Sequence, residues 1–294
     1  MKKIAIAAML AAASVVASAQ VAVYGKLRVY EESSKVGTAD AVTALTNDSS
    51  RLGFKGTEAL GGGLSANFTI ETGIGGDAPA ASTLGDRTMQ VGLSNKLGSI
   101  GLGRDKHTIA RTLDNYDAMW NVYGSSTAVI HAAQGSRLSN AMFLSASPIA
   151  GLTVNYINSN SEVAGVTNAQ ASSIEYTRGP ISATIASFDN GTTSSSTLYG
   201  AKLSVPKVGT TVFAMYSDDK VAGVTSQGKS VGINQPLSPT LTALASYGEN
   251  NTTKAYDLGA TLNLSKRTMV HARYVKEDST STTTKLGLGL EHNF

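Results

Sequence analysis

The stretch that decides the fold is Leu64-Ser65-Ala66-Asn67-Phe68-Thr69-Ile70-Glu71-Thr72. Its even positions through Ile70 are apolar, and its odd positions are polar. Successive side chains of an extended chain point to opposite sides, so this alternation predicts a β-strand between an apolar and a polar environment.

The same period of two recurs along the whole chain. Further alternating segments lie at 21–29, 51–55, 151–156, 181–185, 256–264 and 285–294. Clusters of Gly, Asn and Asp separate them and predict turns. The pattern indicates about sixteen segments of roughly 8 to 11 residues, the length with which a tilted strand crosses a membrane.

Composition and the N-terminus limit the class of protein. Lys2 and Lys3, an apolar run at 4–13 and Ala17-Ser18-Ala19 predict a signal peptide over residues 1–19, cleaved before Gln20. Without Lys2 and Lys3, the 24 basic residues become 22 against 21 acidic ones, which argues against a nucleic-acid binder. The absence of cysteine excludes disulfides and thiolate metal sites. Beyond the signal, no apolar run approaches the roughly 18 residues of a membrane-spanning helix.

A soluble β-sandwich or solenoid would also alternate, with one buried face. Two observations favour a membrane barrel instead. The polar faces consist mainly of Ser, Thr, Asn and Gly, and the apolar faces recur without an obvious second sheet to cover them. Tyrosines that suit an interfacial girdle are Tyr156, Tyr176, Tyr199, Tyr216, Tyr247, Tyr256 and Tyr274. The prediction is an all-β, 16-stranded antiparallel transmembrane barrel over residues 20–294.

Several stretches resemble the general porins of the outer membrane of β-proteobacteria, a family of 16-stranded trimeric barrels. The most recognisable is Ser50-Arg51-Leu52-Gly53-Phe54-Lys55-Gly56-Thr57-Glu58-Ala59-Leu60-Gly61-Gly62-Gly63-Leu64. Val21-Ala22-Val23-Tyr24-Gly25 resembles the opening strand, and Gly289-Leu290-Glu291-His292-Asn293-Phe294 resembles the ending. Shorter matches follow in order between them, so the resemblance covers the whole chain.

The resemblance implies a water-filled channel in the outer membrane of a Gram-negative bacterium, through which small hydrophilic solutes and ions diffuse passively. It also implies a homotrimer surrounded by outer-membrane lipid and lipopolysaccharide, without cofactor, metal or nucleic acid. The terminal Phe294 resembles the signal that the barrel-assembly machinery reads, and it also suits a girdle aromatic.

The segment at about 105–134 is the one long stretch without sustained alternation. A loop of about 30 residues in a compact fold is usually functional. By resemblance it is the third loop, which folds into the barrel and narrows the pore. Its Asp114 and Asp117 would then face basic side chains on the wall and create a transverse field. The alternative is an ordinary surface loop with solvated charges.

Lumen-facing basic residues are the candidates for the opposite side of this field. By parity these are Lys26, Arg28, Arg51, Lys55 and Arg273, and Arg137 shares the parity of Ser139. An outward guanidinium at mid-membrane would cost about 2–4 kcal/mol. By resemblance, Arg51, Arg87 and Arg137 correspond to the arginines that line the constriction in this family.

Two positions depart from this scheme. Arg87 has the same odd-numbered spacing as the apolar Val91 and Leu93, so in a regular strand it would face the same side as they do. A lumen direction for Arg87 therefore requires either a bulge or a position at the rim of the barrel. Phe143 stands where many family members have a basic residue. Phe143 would make the constriction less positive than in those members, but several lumen-directed Arg and Lys residues against a few loop carboxylates still predict a weak anion preference. For each single cation, a solvated charge without a role in selectivity is an equal alternative.

Nothing in the sequence supports catalysis. The four histidines lie far apart, and no metalloprotease, nucleophile-elbow or phosphate-loop motif occurs. A phospholipase-type barrel would need a Ser/His pair on adjacent strands, which no motif indicates. The competing class is a non-conducting outer-membrane barrel with a structural or adhesin role. The small polar side chains at inward positions argue against such a plugged lumen.

Overall fold

The computed structural model describes residues 20–76, 83–119, 130 and 137–294. The predicted signal peptide lies outside the described residues, as do 120–129 and 131–134 of the predicted constriction loop. The described residues form one helix, α1 (Thr108–Tyr116), and one sheet of 17 strands. The strands are β1 (Gln20–Val36), β2 (Val42–Asn47), β3 (Arg51–Gly61), β4 (Leu64–Gly73), β5 (Thr88–Asn95), β6 (Gly98–Lys106), β7 (Arg137–Ile149), β8 (Leu152–Ser159), β9 (Ala169–Arg178), β10 (Ile181–Asp189), β11 (Ser194–Ser204), β12 (Thr211–Val221), β13 (Val224–Pro236), β14 (Leu241–Glu249), β15 (Lys254–Asn263), β16 (Thr268–Asp278) and β17 (Thr282–Asn293).

The sheet closes on itself as an antiparallel barrel. β1 pairs with β17 on one side and with β2 and β3 on the other, and β3 to β17 each pair with their neighbours in sequence. β2 lies along Val29–Ser34 of β1 and β3 along Gln20–Lys26, so these two strands share one place in the wall. The barrel therefore has sixteen places, which confirms the predicted strand number. Among the described residues, no α-helix has the length and apolar character that a membrane crossing requires.

The C-terminal residue takes part in the closure. The backbone of Phe294 exchanges two hydrogen bonds with Gly25, both of 3.1 Å. A Cβ at position 25 would collide with the phenyl ring of Phe294, so a glycine is required there. Phe294 thus covers the seam between the first and last strands.

The outer wall is apolar, as the alternation predicts. Val21, Val23 and Leu27 on β1 are exposed, as are Leu286, Leu288 and Leu290 on β17. Such a continuous apolar band is stable in lipid, where closure of the sheet leaves no unpaired backbone edge. Of the predicted girdle tyrosines, Tyr156, Tyr176, Tyr199, Tyr216, Tyr256 and Tyr274 are exposed. Tyr247 lies directly opposite Tyr256 in the register.

Helix α1 lies inside the barrel, against β8 to β12. Its Ile109 and Tyr116 pack with inward side chains of the wall that include Phe143, Phe188 and Leu198. Burial also raises the pKa of the Tyr116 phenol to about 12, so this side chain stays neutral. The helix therefore fills the lumen on this side and leaves the side of β1 to β6 open.

Glycines on β13 let the segment after α1 approach the wall. A Cβ at Gly228 would lie 2.5 Å from the Cα and the carbonyl oxygen of Ile130, and one at Gly232 would overlap Ala118. The hydroxyl of Ser217 on β12 donates a hydrogen bond to the carbonyl of Ile130. The loop thus rests on a strip of β13 whose inward positions carry only glycine or serine.

The two ends of the barrel differ. At one end, strands are joined by short turns such as 95–98, 149–152 and 178–181. The other end carries longer connections, including 73–88 and 106–137. In outer-membrane barrels, short turns face the periplasm and long loops face the exterior, which orients the chain.

Candidate functional site

A polar cavity of about 380 Å³ lies between α1 and the wall formed by β1 and β3 to β7. Its lining combines six basic and three acidic side chains, an excess of three positive charges. The lining residues are Lys26, Arg28, Ser49, Arg51, Glu71, Arg87, Thr88, Asp105, Lys106, Asp114 and Arg137. This cavity lies inside the barrel, between the helix and the wall.

Glu71 on β4 holds two of the arginines. Its carboxylate accepts a hydrogen bond from Nε of Arg87 at 2.7 Å and lies 3.4 Å from Nε of Arg51. The Tyr24 hydroxyl donates a second hydrogen bond to it at 3.1 Å. One carboxylate therefore fixes two guanidinium groups side by side and cancels part of their charge.

Arg28 forms a second, more buried group of charges. Its guanidinium lies 3.1 Å from the carboxylate of Asp48 and 3.4 Å from that of Glu291. Its Nε also donates to the Asp48 carbonyl, in the break between β2 and β3. Ser49 in this break has a φ of 58°. The interruption of the wall thus serves to bring Asp48 against Arg28.

Two ion pairs tie α1 to β6 at the edge of the cavity. Lys106 at the end of β6 contacts the Asp114 carboxylate, and Arg111 of the helix contacts Asp105 of β6 at 2.7 Å. Asp105 also accepts a hydrogen bond from Thr88 at 3.0 Å. The Arg111 guanidinium lies 5.8 Å from the ring centre of Phe143, so a loop cation stands beside this wall position.

The structure brings together six of the predicted residues, Lys26, Arg28, Arg51, Arg87, Arg137 and Asp114, in the cavity lining. Three others lie elsewhere. Lys55 rests on the Tyr24 ring at 5.1 Å, and Arg273 is buried 3.9 Å from Asp257. Asp117 is buried and accepts a hydrogen bond from the backbone N–H of Met119.

The alternation of side chains along a strand does not by itself explain why Arg87 and Arg137 point into the cavity. Arg87 precedes the first residue of β5, so the pleat of the strand does not govern its direction. The register of β6 with β7 shifts near Asn140, which has a φ of 50°. Because of this irregularity, the direction of the Ser139 side chain does not predict the direction of the other side chains of β7. Ser139 instead accepts a hydrogen bond from Arg104 beside an apolar groove on the outer wall.

The sequence interpretation missed Glu71, Asp105 and Lys106. For Glu71 the signal was present, because it continues the polar parity of the stretch that begins at Ser65. Asp105 and Lys106 lie where alternation ends, and only the pairing of β6 with α1 reveals their role.

A closed antiparallel barrel with an apolar exterior, a charged inner cavity and an inward-folded loop defines the class of transmembrane channel barrels. Comparison with known proteins gives the family. A family model described as "Gram-negative porin" matches residues 5–282, and the chain belongs to this family. It is therefore a multi-pass barrel of the outer membrane of a Gram-negative bacterium.

Individual relatives and solved structures are consistent with this assignment. The chain is 43% identical over 83 residues to "Outer membrane porin protein 32" of Delftia acidovorans, a match that covers 28% of this chain and 22% of that protein. The alignment thus spans less than a quarter of the relative's length. The fold is similar to that of the "Anion-selective porin from Comamonas acidovorans", with a TM-score of 0.83, 20% identity and coverage of 94% and 100%. It is also similar to OmpT of Vibrio cholerae in its trimer form, with a TM-score of 0.73, 13% identity and coverage of 94% and 99%.

Proposed function

We propose that this chain forms a water-filled channel for the passive diffusion of small hydrophilic solutes and ions. The observation that carries the proposal is the polar cavity of about 380 Å³ inside a closed barrel, lined by charged side chains rather than by a packed core. The test is single-channel recording of the purified protein in a planar bilayer. We expect stepwise conductance that is ohmic at low voltage. A folded, inserted barrel without conductance would instead support a structural or adhesin role.

The charges of the cavity favour a weak anion preference. The lining has more basic than acidic groups, but the ion pairs of Glu71, Asp105 and Asp114 reduce the effective field. Water in the lumen screens the electrostatic field that remains. We expect reversal potentials across a salt gradient to give a small excess of anion over cation permeability. Clear cation selectivity would refute the assignment.

Replacing Arg51 or Arg137 with alanine is expected to lower this preference by about twofold, because each change removes one positive charge from a water-filled constriction. Reversal potentials of the two variants measure the effect. Arg267→Ala provides a control, because it removes the same charge in the short turn between β15 and β16. Unchanged selectivity in both Arg51→Ala and Arg137→Ala would remove these residues from the permeation path.

We further propose the processing and partners that the family resemblance implies. Residues 1–19 are removed on export, and the mature barrel assembles as a homotrimer in lipid and lipopolysaccharide. Phe294 serves as the signal for barrel assembly, which its position at the β1–β17 seam supports. Mass spectrometry of the protein from outer membranes tests the cleavage site and the trimer together. A monomer, or a mature start other than Gln20, would contradict the respective proposal.

A further inference from the structure

A row of neutral hydrogen-bonding side chains crosses the inner wall near the short-turn end of the barrel. It contains one residue from each strand from β4 to β9, and each lies directly opposite the next: Ser65, Ser94, Ser99, Ser145, Asn155 and Ser173. We call these six residues the serine row. Asn67, two residues after Ser65 on the same face of β4, donates a hydrogen bond to Ser94 at 3.2 Å. Six adjacent strands thus present hydroxyl and amide groups to the lumen at this level.

The next row toward the long-loop end contains a recess, because two of its five residues are glycine. The row is Asn67, Gly92, Gly101, Phe143 and Ile157. A Cβ at Gly101 would lie 2.7 Å from Cδ of Gln90, so the Gln90 amide occupies the space above this glycine. A cavity of about 70 Å³ lies here, bounded by both rows and by Arg111 of α1. It has room for roughly five water-sized groups.

This recess carries almost no net charge, in contrast to the larger cavity with its excess of three positive charges. Arg111 is the one charged side chain among the described residues that line the recess. Its Nη2 donates to the Asp105 carboxylate at 2.7 Å, so the ion pair cancels most of its charge. A guanidinium has five N–H groups, which leaves four of them for other acceptors. The recess therefore offers hydrogen bonds without an attraction for anions.

Hydrogen-bond donors and acceptors lie close together around the recess. Asn155 donates to Ser173 at 3.0 Å and Asn67 donates to Ser94, so both amides direct an N–H along the serine row and keep a carbonyl oxygen as an acceptor. The Gln90 amide forms no hydrogen bond with any residue in the described part of the chain, and its oxygen and NH₂ are both available. A hydroxyl group both donates and accepts, so neighbouring hydroxyls of one solute match this arrangement.

We propose that this recess binds a small neutral polyhydroxylated solute on the short-turn side of the larger cavity. The inference rests on the proposed channel, because the solute reaches the recess through the lumen. Arg111 and Gln90 donate hydrogen bonds to hydroxyl oxygens, and the carbonyl oxygens of Asn67 and Asn155 accept hydrogen bonds from hydroxyl groups. A carboxylate would instead bring its negative charge against these amide oxygens, with no net positive charge to offset the repulsion.

The test is saturation-transfer NMR of the purified protein in a detergent without sugar head groups, titrated with the four-carbon polyol erythritol. We expect saturable binding that is about fivefold weaker in Asn155→Leu and in Gln90→Met, because each change removes hydrogen bonds and keeps the size of the side chain. The matched control is Asn263→Leu on the inner face of β15, two residues after the buried Thr261, which should bind like the unmodified protein. 1,4-Butanediol, with the same carbon chain and two fewer hydroxyls, should bind about tenfold more weakly than erythritol.

Erythritol binding that is absent from the unmodified protein, or unchanged in both Asn155→Leu and Gln90→Met, would overturn the proposal. Equal weakening in Asn263→Leu would do the same, because binding would then be spread over the lumen. Displacement of erythritol by butyrate, an anion with the same number of carbon atoms, would show that the recess takes anions instead. Saturable erythritol binding by a protein that conducts no current would refute the proposed channel and leave this site in place.

Discussion

Replacement of Glu71 by glutamine is expected to raise the anion-to-cation permeability ratio about fivefold, the effect of roughly 1 kcal/mol on a passing ion. The carboxylate contacts Arg87 at 2.7 Å and Arg51 at 3.4 Å, so its loss uncovers two guanidinium groups at once. Glutamine preserves the size of the side chain and an oxygen that accepts hydrogen bonds. The substitution should therefore change the electrostatic field in the cavity strongly and leave the width of the cavity almost unchanged. Reversal potentials measure the ratio, and single-channel conductance shows whether the width is preserved.

Glu175→Gln is the matched control for this prediction. Glu175 lies on β9 opposite the buried Thr184, so it faces the interior, but it does not line the cavity. The same chemical change there should alter the permeability ratio much less. If both variants shift the ratio equally, the selectivity arises from the total charge of the lumen and not from the Glu71 group.

Replacement of Gly228 by alanine is expected to displace the constriction loop. A Cβ at this position would lie 2.5 Å from the Cα and carbonyl oxygen of Ile130, which are backbone atoms that cannot rotate away. Overpacking of this kind costs about 1–3 kcal/mol, enough to populate a state in which the loop leaves the wall. We expect a larger mean conductance, of about twofold, and more open-channel noise, because we propose that this loop narrows the pore. Single-channel recording gives both quantities.

Gly287→Ala separates the effect of the loop from that of losing a glycine on the inner wall. Gly287 on β17 faces inward opposite Arg273, and a Cβ there would meet Tyr30 at 3.5 Å, an ordinary contact. This variant should conduct like the unmodified protein. If Gly228→Ala also leaves conductance and noise unchanged, the contact between Ile130 and β13 does not hold the constriction.

The direction of most wall side chains could be predicted from sequence because it depends on neighbouring residues alone. Each residue of a strand points opposite to the one before it, so the apolar Leu27 places Lys26 and Arg28 on the inner face. The same rule fails where the pleat stops. Arg87 precedes its strand, and Arg137 begins a strand that becomes irregular three residues later, at Asn140.

Alternation along the chain thus determined which face of each strand is apolar and which is polar, and it favoured a barrel because no second sheet was available to cover the apolar faces. Only the tertiary structure decided which of the inward charges act together. Arg28 meets Glu291 because the first and last strands close the wall, and Arg111 meets Asp105 because the loop turns inward onto β6. The periodic pattern relates each residue to its neighbours, whereas distances across the lumen depend on closure, strand register and loop packing over the whole chain.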